Sequence, residues 1–104
     1  MKPRLSAEVS ELLGIRGCGR RILEILERRR DGLTLQNLVR ATRRSERSIR
    51  EHIKRLRRLS LIKVIEVKTK NNRRGHLYLA PSPDEIVDAL KRLVDEKIGT
   101  WKNR

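Results

Sequence analysis

Ile49, Ile53, Leu56 and Leu59 stand at i, i+4, i+7 and i+10 in a segment otherwise dominated by charge. At about 100° per residue they form one narrow apolar stripe, and Arg47, Arg50, Glu51, Lys54 and Arg58 gather on the opposite face. A segment so divided folds as a helix laid on a core along one side. Ser45 stands just before it, where a hydroxyl accepts from the free amides of a first helical turn. Upstream, Leu35, Leu38 and Val39 keep helical spacing to Ala41, and Thr42 to Arg44 break the pattern. The order is helix, three-residue turn, helix. Such a pair, with a cationic stripe on its second member, has the arrangement that major-groove insertion needs. A solvated charged face is the plain structural use of the same residues.

The flanking segments complete a small α+β domain. Leu5, Val9, Leu12 and Leu13 predict a short amphipathic N-terminal helix, with Ser6 as its cap and Gly14 as its stop. Gly14 to Gly19 lacks the Lys-Ser/Thr ending of a phosphate-binding loop and follows no strand, so it reads as a turn between helices. Arg20 to Arg30 predicts a second helix, ended by Asp31-Gly32, and Leu33 to Leu35 a short strand. Leu61 to Thr69 reads as a strand whose alternation slips at Val64 and Ile65. His76 to Ala80 reads as its partner, across a polar connection from Lys70 to Gly75. Pro83 or Asp84 opens a last helix, on which Ile86, Val87, Leu90, Leu93, Val94, Ile98 and Trp101 make a broad apolar face.

The charge is as informative as the pattern. With 27 Lys and Arg against 13 Asp and Glu the chain carries +14, a field that a polyanion would take up. Residues 1–83 hold 22 of the bases and 8 of the acids, whereas residues 84–104 hold 5 of each. Charge-rich chains poor in Gln, Cys and Met also suit the ion-pair networks of archaeal or thermophilic proteins, but those networks need both signs. Cys18 is the only cysteine, and His52 and His76 are the only histidines. No internal disulfide is possible and no zinc spacing is present, so neither a metal nor another cofactor is expected. No nucleophile, acid–base pair or metal cluster is recognisable, so the chain does not read as an enzyme. His52 lies beside the buried stripe, a place for packing or hydrogen bonding. No apolar run would span a bilayer, and Met1 to Ser10 lacks an apolar signal region. The expectation is a cytoplasmic, nucleoid-associated protein with no membrane partner.

The 104 residues fit one folded unit, in which residues 1–82 would form the DNA-binding domain and residues 83–104 a C-terminal dimerisation helix. The stretch Leu33 to Ala80 resembles the winged helix-turn-helix core of MarR-, ArsR- and TrmB-type regulators of archaea and bacteria. The resemblance rests on Leu35-x-x-Leu38-Val39-x-Ala41-Thr42. Next comes Ser45-x-x-Ser48-Ile49-Arg50-x-x-Ile53-x-x-Leu56-x-x-Leu59-x-Leu61-Ile62, and a hairpin with a basic tip follows. It covers about half the chain. It implies that Glu46 to Leu59 is a recognition helix and the hairpin a wing reaching flanking backbone or minor groove. Arg43-Arg44 depart from the family's usual Gly and apolar residue, and Ser60 stands in place of a helix-ending Gly. Ser60 then either adopts a conformation that Gly reaches without strain or ends the helix differently.

The resulting expectation is a transcriptional regulator that reads double-stranded DNA. Arg47 and Arg50 are the candidates for base edges, since the guanidinium fork fits guanine O6 and N7. Glu51 would accept from a cytosine amine or steer Arg47. Arg43, Arg44, Lys54 and Arg58 would meet phosphates, with Ser45 and Ser48 near the backbone at the helix N-terminus. Lys70, Arg73 and Arg74 would serve the wing. With Tyr78 and Trp101 as the only aromatics, stacking on single strands is disfavoured. Ile86, Val87, Leu90, Val94, Ile98 and Trp101 would form a homodimer seam, and the competing use of that face is packing on Leu5 to Leu13 and Arg20 to Arg30 of the same chain. Two other functions share these residues: a sequence-tolerant architectural DNA binder, and an interaction module in a transcription or RNA-processing assembly. No small-molecule effector can be named from the residues.

Overall fold

The narrow stripe of the central helix is fully used. In the computed structural model, which describes residues 5–102 and the side chains of residues 5–99, Ile49, Ile53 and Leu56 are at most 4% exposed. They meet Ile22, Leu23, Leu26 and Leu38 in one core. The described elements run α1 (Leu5–Leu13), α2 (Gly17–Arg28), α3 (Leu35–Thr42), α4 (Glu46–Arg58), β1 (Lys63–Lys68), β2 (Arg74–Leu79) and α5 (Pro83–Lys102). This is the expected α+β class, five helices around a two-stranded antiparallel hairpin.

Local chemistry explains most boundaries. Thr34 caps α3 by accepting from the Asn37 amide at 3.1 Å, and the Asn37 side chain accepts from the Thr34 amide at 3.1 Å. This reciprocal box satisfies two amides that the helix leaves unpaired. Thr34 thereby replaces the expected strand Leu33 to Leu35, which shrinks to a single bridge between Leu33 and Tyr78. Ser45 caps α4 as anticipated, its Oγ accepting from the Ser48 amide at 3.1 Å. At the other end Ser60 takes φ 61°, and the Leu61 amide donates to the Leu56 carbonyl at 2.9 Å. The helix therefore ends as a glycine-terminated one would, with serine in the strained position.

Three expectations for α1 and α2 need correction. Ser6 is not the cap of α1: it lies inside that helix, buried, and its amide donates to the Glu27 carboxylate at 2.7 Å. Leu12, placed on the apolar face by spacing, is 71% exposed, because Val9 and the half-buried Leu5 and Leu13 occupy the contact with the core. Helix α2 begins at Gly17, three residues earlier than read. A Cβ on Gly19 would stand 3.2 Å from an Ile15 methyl and 3.7 Å from His52 Nδ1, so glycine there serves close helix packing rather than a turn.

The hairpin pairs Lys63 with Leu79 through Lys68 with Arg74. Val64 and its partner Tyr78 pack on the core, while Ile65 is 45% exposed. The alternation slips in sequence because Leu61 and Ile62 belong to the core before the strand begins. Ser82 caps α5, its Oγ accepting from the Glu85 amide at 3.2 Å while Glu85 accepts from the Ser82 amide at 3.0 Å. That amide bond, with Lys63 in support, holds the Glu85 carboxyl below its usual range. Ile86 and Ala89 are buried in the chain's own core, so Ile86 faces inward and not toward a second copy.

Candidate nucleic-acid interface

The exposed side of α4 follows from the burial of its other side. Arg47, Arg50, Glu51, Lys54, Arg55, Arg57 and Arg58 all lie outside the core. Three of these bases, Arg55, Arg57 and Arg58, stand in the last turn, where cations meet the negative end of the helix dipole. The turn before α4 holds Arg43 in the left-handed region at φ 56°, its amide donating to the Val39 carbonyl, and leads through Arg44 to the Ser45 cap. Arg43, Arg44, Ser45, Arg47, Ser48, Arg50, Glu51, Lys54 and Arg58 thus lie on one turn and one helix.

The two arginines expected at base edges are not equally free. Arg50 donates to Glu46 Oε1 from Nε at 3.1 Å and from Nη2 at 2.8 Å. These contacts hold the Glu46 carboxyl below its usual range, with a further hydrogen bond from Gln36. Arg47 lies 3.8 Å from Glu51 and its side chain is 92% exposed. The difference follows orientation: a carboxylate four residues before its cation pairs better along a helix than one four residues after. Both pairs are solvent-exposed, so water screens them and neither holds its partners firmly. The exposed Glu46 contact therefore does not lock the Arg50 guanidinium in place.

The hairpin lies beside α4. Arg50, Ile53, Lys54, Arg57 and Arg58 line a shallow recess with Tyr78 of β2. Arg57 was missed in the sequence reading, although it sits seven residues after Arg50 and three after Lys54, on the edge of the same cationic face. Lys70 occupies the tip. Arg73 closes the loop, its carbonyl accepting from the Thr69 amide at 2.9 Å and its amide donating to Thr69 Oγ1 at 3.3 Å. Arg74 lies in β2 rather than at the tip, with Glu66 at 3.5 Å.

Cys18 lies at the start of α2, half-buried. Burial pushes the Cys18 thiol up, and Arg44 and Arg21 offset that only in part, which disfavours a reactive thiolate. Among the described residues no group of three or more His, Cys, Asp and Glu is placed to hold a metal, and no helix is long and apolar enough to cross a membrane.

No protein-family model matches the chain, and no curated protein matches its sequence. Solved structures do. A possible transcriptional regulator from Methanosarcina mazei superposes with a TM-score of 0.68 at 9% identity, over 99% of this chain and 87% of that one. The Staphylococcus aureus MepR–DNA complex gives 0.62 at 24% identity, over 93% and 79%. MepR, a transcription regulator of the multidrug efflux pump MepA, gives 0.57 at 19%, over 94% and 71%. The chain has the winged-helix fold. In this winged helix α3 and α4 are the helix-turn-helix pair and β1–β2 is the wing. Departure of the winged-helix pattern at the α3–α4 turn leaves Arg43 where glycine would be unstrained, adding a cation where the pair turns.

Proposed function

We propose that this winged-helix chain is a sequence-specific, double-stranded DNA-binding transcriptional regulator and not an enzyme. The observation that carries the reading is the segregation on α4: a stripe buried almost completely, and a cationic face running from the Ser45 cap to the recess beside the wing. The neighbour solved with DNA has the same fold. In this reading Arg47 and Arg50 meet base edges and Glu51 steers Arg47 or accepts from cytosine. Arg43, Arg44, Ser45 and Ser48 hold phosphate at the helix N-terminus, and Lys54, Arg57 and Arg58 follow the backbone toward a wing contact by Lys70, Arg73 and Arg74.

The chain would act as a homodimer through α5, whose Val87, Val94 and Ile98 lie within about 40° of one another on a helical wheel and are 44, 54 and 45% exposed. Leu90 flanks the stripe, half-buried on the core. Trp101, expected to anchor that seam, has its side chain outside the described residues. A two-fold dimer would present two α4 helices to half-sites about one DNA turn apart.

The test is selection of bound fragments from a random duplex library, followed by binding of the winner and a scrambled control across a salt series. A common motif is expected, and Arg50→Ala should lose about 1–3 kcal/mol on that motif with little change on the control. Absence of any enriched motif, with equal binding of both duplexes at every salt, would replace this reading by a sequence-tolerant architectural role.

A further inference from the structure

The cations of α4 and the wing do not account for all of the basic surface. Arg28, Arg29 and Arg40 line a recess on the outer face of α2 and α3, floored by Ile25, Leu33 and Ala41. Arg21, one helical turn before Ile25, has its guanidinium within 3.5 Å of the Ala41 carbonyl. Toward the α3–α4 turn, Arg21 and Arg44 both act on the Cys18 thiol, which places their charges together at the start of α2. Arg44, Arg21, Arg40, Arg28 and Arg29 thus form a stripe that begins at the proposed DNA contact and runs up the side of the domain.

None of these five arginines has a carboxylate partner among the described residues: the ion pairs engage Arg20, Arg47, Arg50, Lys63 and Arg74 instead. The acids on α2 are turned elsewhere. Glu24 holds Arg20 at 3.1 Å, and Glu27 accepts the Ser6 amide. Like charges placed side by side repel, and the chain has carboxylates with which to relieve them. A cationic stripe left unpaired, contiguous with a phosphate-binding turn and built from guanidinium forks, matches the geometry of a polyanion backbone.

We propose that the outer face of α2 and α3 binds the phosphate backbone of the same DNA duplex beyond the footprint of α4 and the wing, so that the protein engages flanking DNA and draws it along its side. This rests on the duplex-binding reading above. It implies a site longer than the recognised motif, with flanking contacts that carry charge but no sequence preference.

The experiment uses the full chain and two duplexes: one limited to the selected motif, and one extended by about one helical turn, roughly 10 base pairs, at each end. Arg28, Arg29 and Arg40 are replaced together by Ala, and in a second variant by Lys, with circular dichroism checking that both fold. On the extended duplex the Ala variant should bind more weakly, with a log–log salt slope flatter by about 2.7 for three lost phosphate contacts. The Lys variant should retain the wild-type slope. On the short duplex the Ala variant should keep the wild-type slope. An Ala variant that binds the extended duplex like wild type overturns the proposal and leaves the face to another partner, such as an acidic protein. Equal slope losses on both duplexes overturn it too, since they would reflect only the general field of the protein. If wild type binds neither duplex, the duplex-binding reading fails, and this inference with it.

Discussion

Helices α4 and α5 are both amphipathic, yet the fold uses them differently. In α4 the apolar stripe is narrow and disappears into the core, with Ile49 fully buried and Leu56 1% exposed. In α5 the apolar face is broad: Ile86 and Ala89 are buried and Leu90 and Leu93 half-buried, while Val94 remains 54% exposed. A narrow stripe has room for one neighbour; a broad face exceeds what one small core can cover. The surface left on α4 is therefore charge, whereas α5 leaves an apolar strip exposed among its charges. In the proposed reading, that contrast separates a face for a polyanion from one for a second copy of the chain.

The sharpest way to break the contrast is in the two stripes themselves. Leu56→Ala should cost about 2–5 kcal/mol of folding stability, because the cavity opens among groups that cannot collapse into it. Urea titration followed by circular dichroism measures the loss, and a change below about 1 kcal/mol would mean that α4 is less firmly seated than its burial implies. Val94→Glu should leave the stability of the isolated chain within about 0.5 kcal/mol, since the side chain already meets water. It should instead convert dimer to monomer by sedimentation and weaken binding to a palindromic site. A wild-type chain that stays monomeric at high micromolar concentration would remove the dimer and leave the exposed face of α5 without that use.

Smaller effects sharpen the picture of α4. Ser60→Gly should stabilise the fold by about 1 kcal/mol, because glycine enters the left-handed region at the helix end without strain. For a domain of this size that is a rise in Tm of about 4–8 °C by calorimetry. No rise would indicate that the serine side chain compensates locally. The least effect belongs to the Glu46–Arg50 pair. The Glu46 carboxyl is held below its usual range in the folded chain, so its contribution is present above the unfolded value and is lost as pH falls through the folded one. Glu46→Gln should therefore remove a slight acid-side dependence of stability and strengthen binding to the selected motif, with little change on random duplex, by unmasking Arg50. Unchanged binding would mean that Arg50 already leaves Glu46 freely.

Much of this was legible in local spacing. The period of Ile49, Ile53 and Leu56 and the hydroxyl of Ser45 act within one or two helical turns, so the helix pair, its cap and the exposed face of α4 follow from the residues alone. The strained end at Ser60 was also foreseeable, as one of two outcomes for a serine in a glycine position. Boundaries failed where a second local signal competed: the box of Thr34 and Asn37 took residues that apolar content had suggested for a strand. Arg57 was within reach of the same helical spacing that identified Arg50 and Lys54.

Other features had no local signature. Leu12 faces water and Ile86 the core although both fit their helical patterns, because burial depends on which neighbour is within reach and not on the pattern itself. Gly19 resembled a turn residue until α2 met Ile15 and His52. The alignment of Arg21, Arg28 and Arg29 with Arg40 and Arg44 depends on the packing of α2 against α3, across residues far apart in the chain. The sequence by itself determined which segments are helical and how charge and apolar surface divide along each of them, because those are properties of neighbours three and four residues apart. Only the tertiary structure decided which apolar faces are covered and which cations stand together, because those depend on contacts between elements that local periodicity does not encode.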